Sequence, residues 1–272
     1  MFAFKRTWPS PGLTAALPRL AGLQGPSGQP GWKRLPGLIG LLGVTVGLTG
    51  CSKPPGSDLF PLEAGHRWVY RVVNEYDNNS RDVDTLDITT LGNDTLPGGA
   101  GSAAHRRSAS GVDYWLKSDA TGIWRVASKS DLDEEPVLDP GAEAQRRYVL
   151  KAPITPGTTW QAHTTAYLLK RNNEFPPEIR HSHPKVPMVY SIDALDQKVD
   201  TPAGSFAGCV RVKGIATLKL FADPVVGWHD MPLTTLEWYC PGVGLARLER
   251  REPANSTFLV GGTLTMELSS WQ

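Results

Sequence analysis

From residue 60 onward, apolar and polar positions alternate in short runs separated by turn-forming clusters. Trp68, Tyr70 and Val72 fall on one side of residues 66–73, the period-two pattern of a half-buried strand. The polar run 74–82 predicts a turn and residues 83–91 a returning strand. Residues 93–104, rich in Gly, Asp and Pro, predict a loop. Val112, Tyr114 and Leu116 alternate in a further strand. Asp119-Ala120-Thr121-Gly122 then spaces that strand from residues 123–127 as a tight hairpin would. An acidic connector over 130–140 follows, and residues 141–149 are the best candidate for a short helix. Strands are predicted over 145–150, 160–169, 186–199, 206–221, 233–239, 245–250 and 256–268. A turn is expected at Pro156-Gly157 and another over 200–205, and 171–185 reads as a long proline-rich loop. No stretch longer than about ten residues holds a 3.6-residue period, and turn signals recur every ten to fifteen residues, so the expected class is antiparallel all-β.

The amino-terminal region follows a different pattern. Residues 35–48 (LPGLIGLLGVTVGL) carry no charge but number only 14, short of the roughly 20 apolar residues a bilayer-crossing helix needs. Pro36 and the glycines at 37, 40, 43 and 47 make a poor soluble helix. Lys33 and Arg34 precede the run, and small residues close it at Leu48-Thr49-Gly50-Cys51, as in a secretory signal. The tetrad resembles the lipobox of bacterial lipoprotein signal peptides. That resemblance implies cleavage before Cys51, diacylation of its thiol and acylation of the new amino terminus. Ser52 in place of Asp resembles the pattern that releases lipoproteins to the outer membrane, so anchoring on its periplasmic face is expected. Residues 1–32 form a long Pro- and Gly-rich prelude without acidic residues; an alternative start codon at Leu20 or Leu23 would give the usual signal length. The expected organisation is a signal over 1–50, a lipidated tether over 51–59 and one β domain over 60–272.

Charge narrows the partners. Five basic residues lie before Cys51 (Lys5, Arg6, Arg19, Lys33 and Arg34) and no acidic one, which leaves 23 basic against 27 acidic residues, or −4, for residues 51–272. No basic stripe exists for nucleic acid or for an anionic membrane surface, so the membrane is reached through lipid, and two or three acyl chains suffice where one is marginal. Cys209 and Cys240 are the remaining cysteines. An exported pair tends to bridge, and no CxxC is present. A structural disulfide is the expected reading, with two unpaired buried thiols or a reactive or metal-binding thiol as alternatives.

Three motifs carry a second resemblance: Phe60-Pro61-Leu62-x-x-Gly65-x-x-Trp68-x-Tyr70, Thr201-Pro202-Ala203-Gly204-Ser205-Phe206-x-x-Cys209-x-x-Val212, and Trp238-Tyr239-Cys240-Pro241-Gly242-Val243-Gly244-Leu245. Their order resembles a loose group of exported bacterial proteins, many of them lipoproteins of unknown function. The group is similar to the half-barrels of periplasmic lipoprotein carriers, which implies a single curved antiparallel sheet; a β-sandwich is the alternative. Cys240 stands where the group implies Ala or another small residue, which makes a bridge to Cys209 attractive. No catalytic residue carries over. The motifs read as structure: 201–206 as a hairpin turn, Pro241-Gly242 as a second, and Gly244 as a bulge or close backbone approach.

Candidate chemistry is sparse. His181 and His183, with His163 or Glu178, could face one metal ion, though no ligand spacing is fixed. Asp82, Asp84 and Asp87, near Asp77 and Asn79, could collect calcium oxygens, but the EF-hand order is missing. Asp131, Asp133, Glu134 and Glu135 read as a solvated run. Gly-x-Ser-x-Gly and His-Glu-x-x-His are absent. No cofactor is expected, and a metal-dependent or serine hydrolase of the envelope is the alternative to a non-enzymatic protein. Of seven tryptophans after Cys51, Trp68, Trp115, Trp124, Trp160 and Trp238, with Tyr70, could line a concave groove for a lipid or acyl chain; an aromatic core is the competing reading. The functional expectation is an outer-membrane-anchored protein that binds a hydrophobic ligand or an envelope protein partner.

Overall fold

In chain order the strands are β1 (Arg67–Tyr76), β2 (Arg81–Leu96), β3 (Gly101–Ser108), β4 (Asp113–Asp119), β5 (Gly122–Lys129), β6 (Val137–Leu138), β7 (Arg147–Lys151) and β8 (Thr159–Thr164). They continue as β9 (Lys170–Arg171), β10 (Val186–Thr201), β11 (Gly204–Asp223), β12 (Gly227–Cys240), β13 (Gly244–Glu252), β14 (Leu259–Val260) and β15 (Gly262–Trp271). The structure is a computed structural model that describes residues 56–272 apart from 173, 226 and 255. The expected signal, the lipobox-like tetrad with Cys51, and residues 51–55 of the expected tether lie outside the described residues.

The strands pair antiparallel in the order β6-β5-β4-β3-β2-β1-β15-β13-β12-β11-β10-β8, with β7 beside β5 and a separate β9–β14 pair. Two meanders of consecutive hairpins are thus joined through the first and last strands, where Trp68 lies opposite Trp271. The sheet is strongly curved and is not closed into a barrel. Its ends meet without a ladder: the Trp160 indole N–H on β8 donates to the Tyr148 carbonyl on β7 at 3.2 Å.

The curled sheet buries its core between its arms. Leu116, Ile123, Trp124 and Leu150 from β4, β5 and β7 pack with Trp160, Ile192, Val212 and Tyr239 from β8, β10, β11 and β12. A second cluster holds Met188, Leu218, Leu220, Met231 and Leu233, capped by Leu169 and Ile179. Each fully buried Leu or Ile stabilises the fold by about 1.5–3 kcal/mol. Cys209 and Cys240 are bridged (S–S 2.02 Å, Cα–Cα 4.1 Å) in a third cluster with Trp68, Tyr70 and Val199. The β10–β11 turn is a two-residue hairpin closed by Thr201 and Gly204, with Gly204 at φ +134°, a conformation that glycine permits.

Several local expectations are corrected. Residues 93–104 are not a loop: β2 runs to Leu96 and β3 starts at Gly101. Leu96, Ala103 and Ala104 are buried there, while small and polar residues between them mask the alternation. In β4 the register shifts between Trp115 and Leu116, so both are buried and Tyr114 faces out; a bulge changes the phase of every later side chain. Residues 141–149 hold only a 3-10 turn over Glu143–Gln145 before β7. The turn expected over 74–82 shrinks to 77–80, where the Asn78 side chain accepts from Ser80 N–H at 3.0 Å. β8 ends at Thr164 rather than 169, and β12 begins at Gly227, six residues before the expected 233. One helical turn, α1 (Ile179–Ser182), interrupts the proline-rich loop and buries Ile179.

Candidate functional site: a cleft beside the amino-terminal segment

Residues 57–63 are strapped across the sheet. Leu59 and Phe60 are buried, and Gly242 N–H donates to the Asp58 carbonyl at 2.7 Å. Arg106 on β3 holds the segment from beneath. Its guanidinium donates to the Pro61 carbonyl and, at 3.3 Å, to Thr90 Oγ1. It lies between the rings of Phe60 (4.0 Å) and Trp68 (4.2 Å), where a desolvated cation gains most from aromatic faces. Burial pulls this group down to about 10, opposed by Tyr70, Tyr239 and Glu63, so it remains a cation at neutral pH.

The opposite wall is the β2–β3 hairpin, represented by Asn93, Ser102, Ala103 and Ala104. His105 braces it. Its Nδ1 lies 2.8 Å from Asp94 and its Nε2 2.7 Å from Asp113, and the ring stacks on Trp115 at 4.5 Å. Trp115 Nε1 donates to Asp94 at 3.1 Å and Arg107 adds a contact to Asp113 at 3.3 Å. Strands β2, β3 and β4 are thereby joined by side chains as well as by their ladders.

Between the walls lies a cleft of about 680 Å³, a size suited to a small ligand. Phe60, Leu62, Leu116 and Trp124 supply apolar surface, and Glu63, Lys117, Ser118 and Asp119 the polar rim. Arg146 lies 4.1 Å from the Trp124 ring. Burial opposes ionisation of Asp119, but hydrogen bonds from Thr121 and the Arg146 cation hold its carboxyl below the usual range. The Ser118 hydroxyl is buried and has no hydrogen-bond partner among the described residues. An unpaired buried hydroxyl costs about 1–3 kcal/mol. Among the described residues no base is hydrogen-bonded to it, and a hydroxyl nucleophile depends on such a base for activation.

The six aromatic groove candidates do not line one groove. Trp124 borders the cleft. Trp68 stacks on Arg106 behind it, and Tyr70 is buried with its hydroxyl donating to the Leu245 carbonyl at 2.9 Å. Trp115 supports His105, Trp160 stacks on Tyr190 at 5.8 Å in the seam between the sheet ends, and Trp238 lies half-buried near Arg247. Their side chains fill separate clusters because inward-facing positions of a curled sheet close on one another. Phe60, Leu62, Leu116 and Ser118 form the cleft instead. Sequence gave no sign of the His105 brace, whose partners lie 11 residues before it and eight after it on other strands.

His181 pairs with Glu178 at 3.5 Å and His183 with Ser182 at 3.0 Å. Asp87 pairs with Arg67 at 3.0 Å, Asp84 caps Thr85 N–H at 2.7 Å, and Asp133 accepts from Ser130 at 2.8 Å. Among the described residues no group of three or more His, Cys, Asp or Glu converges to hold a metal, so neither the histidine nor the calcium set assembles.

No protein-family model matches the chain, and no curated protein matches it. Among solved structures, a chain from Parabacteroides distasonis provisionally assigned as a lipoprotein is similar at 15% identity and a TM-score of 0.39, covering 81% of this chain and 100% of its own. A provisionally assigned exported protein with a YmcC-like fold from Bacteroides fragilis is similar at 14% identity and a TM-score of 0.34, covering 78% of this chain and 98% of its own.

Proposed function

We propose that this chain is a non-enzymatic, lipid-anchored protein of the bacterial envelope, held at the outer membrane through Cys51, and that the cleft beside its amino-terminal segment takes an amphipathic ligand with an apolar tail. The lipobox-like tetrad at 48–51 supports the anchoring. The observation that carries the ligand reading is one cleft in which the apolar surface of Phe60, Leu62, Leu116 and Trp124 adjoins the charged rim of Glu63, Lys117 and Asp119. Such a lining asks for a polar end and an adjoining hydrocarbon stretch. Native mass spectrometry of the lipidated protein should show added fatty acid or phospholipid retained as mass adducts. Ser102→Trp, an exposed substitution at the cleft wall, should reduce that retention about tenfold without lowering the melting temperature. Equal retention by parent and variant would remove the ligand from the cleft.

A second reading, docking of an envelope protein, is supported by the outward face of β10–β12. Val189 and Ile215 pair there, Phe221 meets Trp228 edge-on at 5.9 Å, and all four are exposed.

A further inference from the structure

The described chain starts at the cleft itself. Ser57 lines it, and Gly56 borders a second hollow of about 620 Å³ walled by Ala120, Ala152, Pro153 and Ile154. Cys51 precedes Ser57 by six residues, a reach of at most about 20 Å fully extended. Anything bonded to Cys51 therefore begins within that distance of an apolar surface.

Resting on the anchoring and ligand reading above, we propose that the occupant of the cleft is the chain's own acyl group, carried on Cys51 and folded back whenever the protein is away from a bilayer. The cleft is open and its lining is part polar, a poor trap for a dilute free lipid. A tethered chain meets it at an effective concentration in the millimolar range, so a weak site is enough. A bilayer covers every methylene of an acyl chain, whereas the cleft covers only part, and hydrophobic transfer scales with the number covered. The chain accordingly leaves the cleft when a membrane is available and returns in water. Glu63, Lys117 and Asp119 at the rim keep the occupied cleft wettable.

The test uses the full lipidated protein bearing a photoactivatable fatty acid on Cys51, its incorporation verified by mass. After transfer out of detergent into water, irradiation should crosslink the Cys51 peptide to the peptides that contain Phe60, Leu116 or Trp124. A mixture of heavy- and light-isotope protein should give crosslinks within one chain. Ser102→Trp should reduce them about fivefold, and added phospholipid vesicles should abolish them. Crosslinks between heavy and light chains, or confined to the outward face of β10–β12, would overturn the proposal. A control protein without the photoactivatable anchor receives free photoactivatable palmitate. If that palmitate labels the cleft while the anchored chain does not, the ligand reading stands and this proposal falls; if neither labels it, both fall.

Discussion

Glu252 is fully buried, yet its sequence surroundings, residues 247–252 (RLERRE), look like a solvated strand. Its carboxylate accepts from the backbone N–H groups of Tyr167, Leu168 and Leu169 at 3.0, 2.8 and 3.3 Å, and from Arg250 Nε. Arg250 in turn donates to Thr164 Oγ1 at 3.0 Å and to the Thr165 carbonyl at 2.7 Å. The pair pins the chain after β8, which departs from the ladder there and would otherwise leave these amides unsatisfied. Glu252→Ala should destabilise the protein by about 3–5 kcal/mol, because it strands a buried cation together with three amides. Hydrogen exchange should show lost protection at residues 167–169 first; unchanged protection there would contradict the assignment. Nothing in the alternation announces this residue, since the amides it holds lie more than 80 positions away. His105 escapes sequence reasoning because strand pairing, not chain position, brings Asp94 and Asp113 to its ring.

Between elements, the longest contact runs along β11 and β12, a hairpin whose open end is tied by Cys209–Cys240 across a sequence separation of 31. Loop-closure entropy for a ring of that size gives about 3–4 kcal/mol of stabilisation. The double variant Cys209→Ala, Cys240→Ala should lose about that much in guanidinium unfolding with a similar m-value. Both sulfurs are buried, so reductant added to the folded parent should leave them oxidised until denaturant opens the hairpin; rapid reduction in native buffer would contradict this packing. At this scale the turns were readable. The hairpins at 120–121 and 202–203 follow from Gly122, Pro202 and Gly204, whose backbone preferences act locally. Strand ends were less readable, because polar pairs such as Thr95 opposite Ser102 extend the ladder without an apolar signature, and because the bulge in β4 shifts its side-chain phase.

Across the whole molecule, the curled sheet encloses a polar seam between apolar clusters. Tyr239 O–H donates to Glu237 Oε2 at 2.5 Å and Thr235 Oγ1 lies 3.5 Å from its other oxygen. Burial raises the Glu237 carboxyl above its usual range, partly offset by Tyr239 and Arg250. A raised folded-state value means that the fold prefers the protonated acid. That contribution is fully present below the unfolded value near 4.3 and is lost as pH rises through the folded value. Glu237→Gln, a neutral mimic, should therefore melt above the parent at pH 7–8, with the two converging below about pH 4; a lower melting temperature for the variant at pH 8 would refute the sign. Sequence by itself determined the all-β antiparallel class, the tight turns and the signal-like character of residues 33–51, because alternation, turn chemistry and apolar length are properties of neighbouring residues. Only the tertiary structure decided which aromatics fill the interior, where the sheet ends meet and where a cleft remains. Those outcomes depend on pairings such as β1 with β15, nearly the whole domain apart in sequence, and on register shifts that move side chains from one face of a strand to the other.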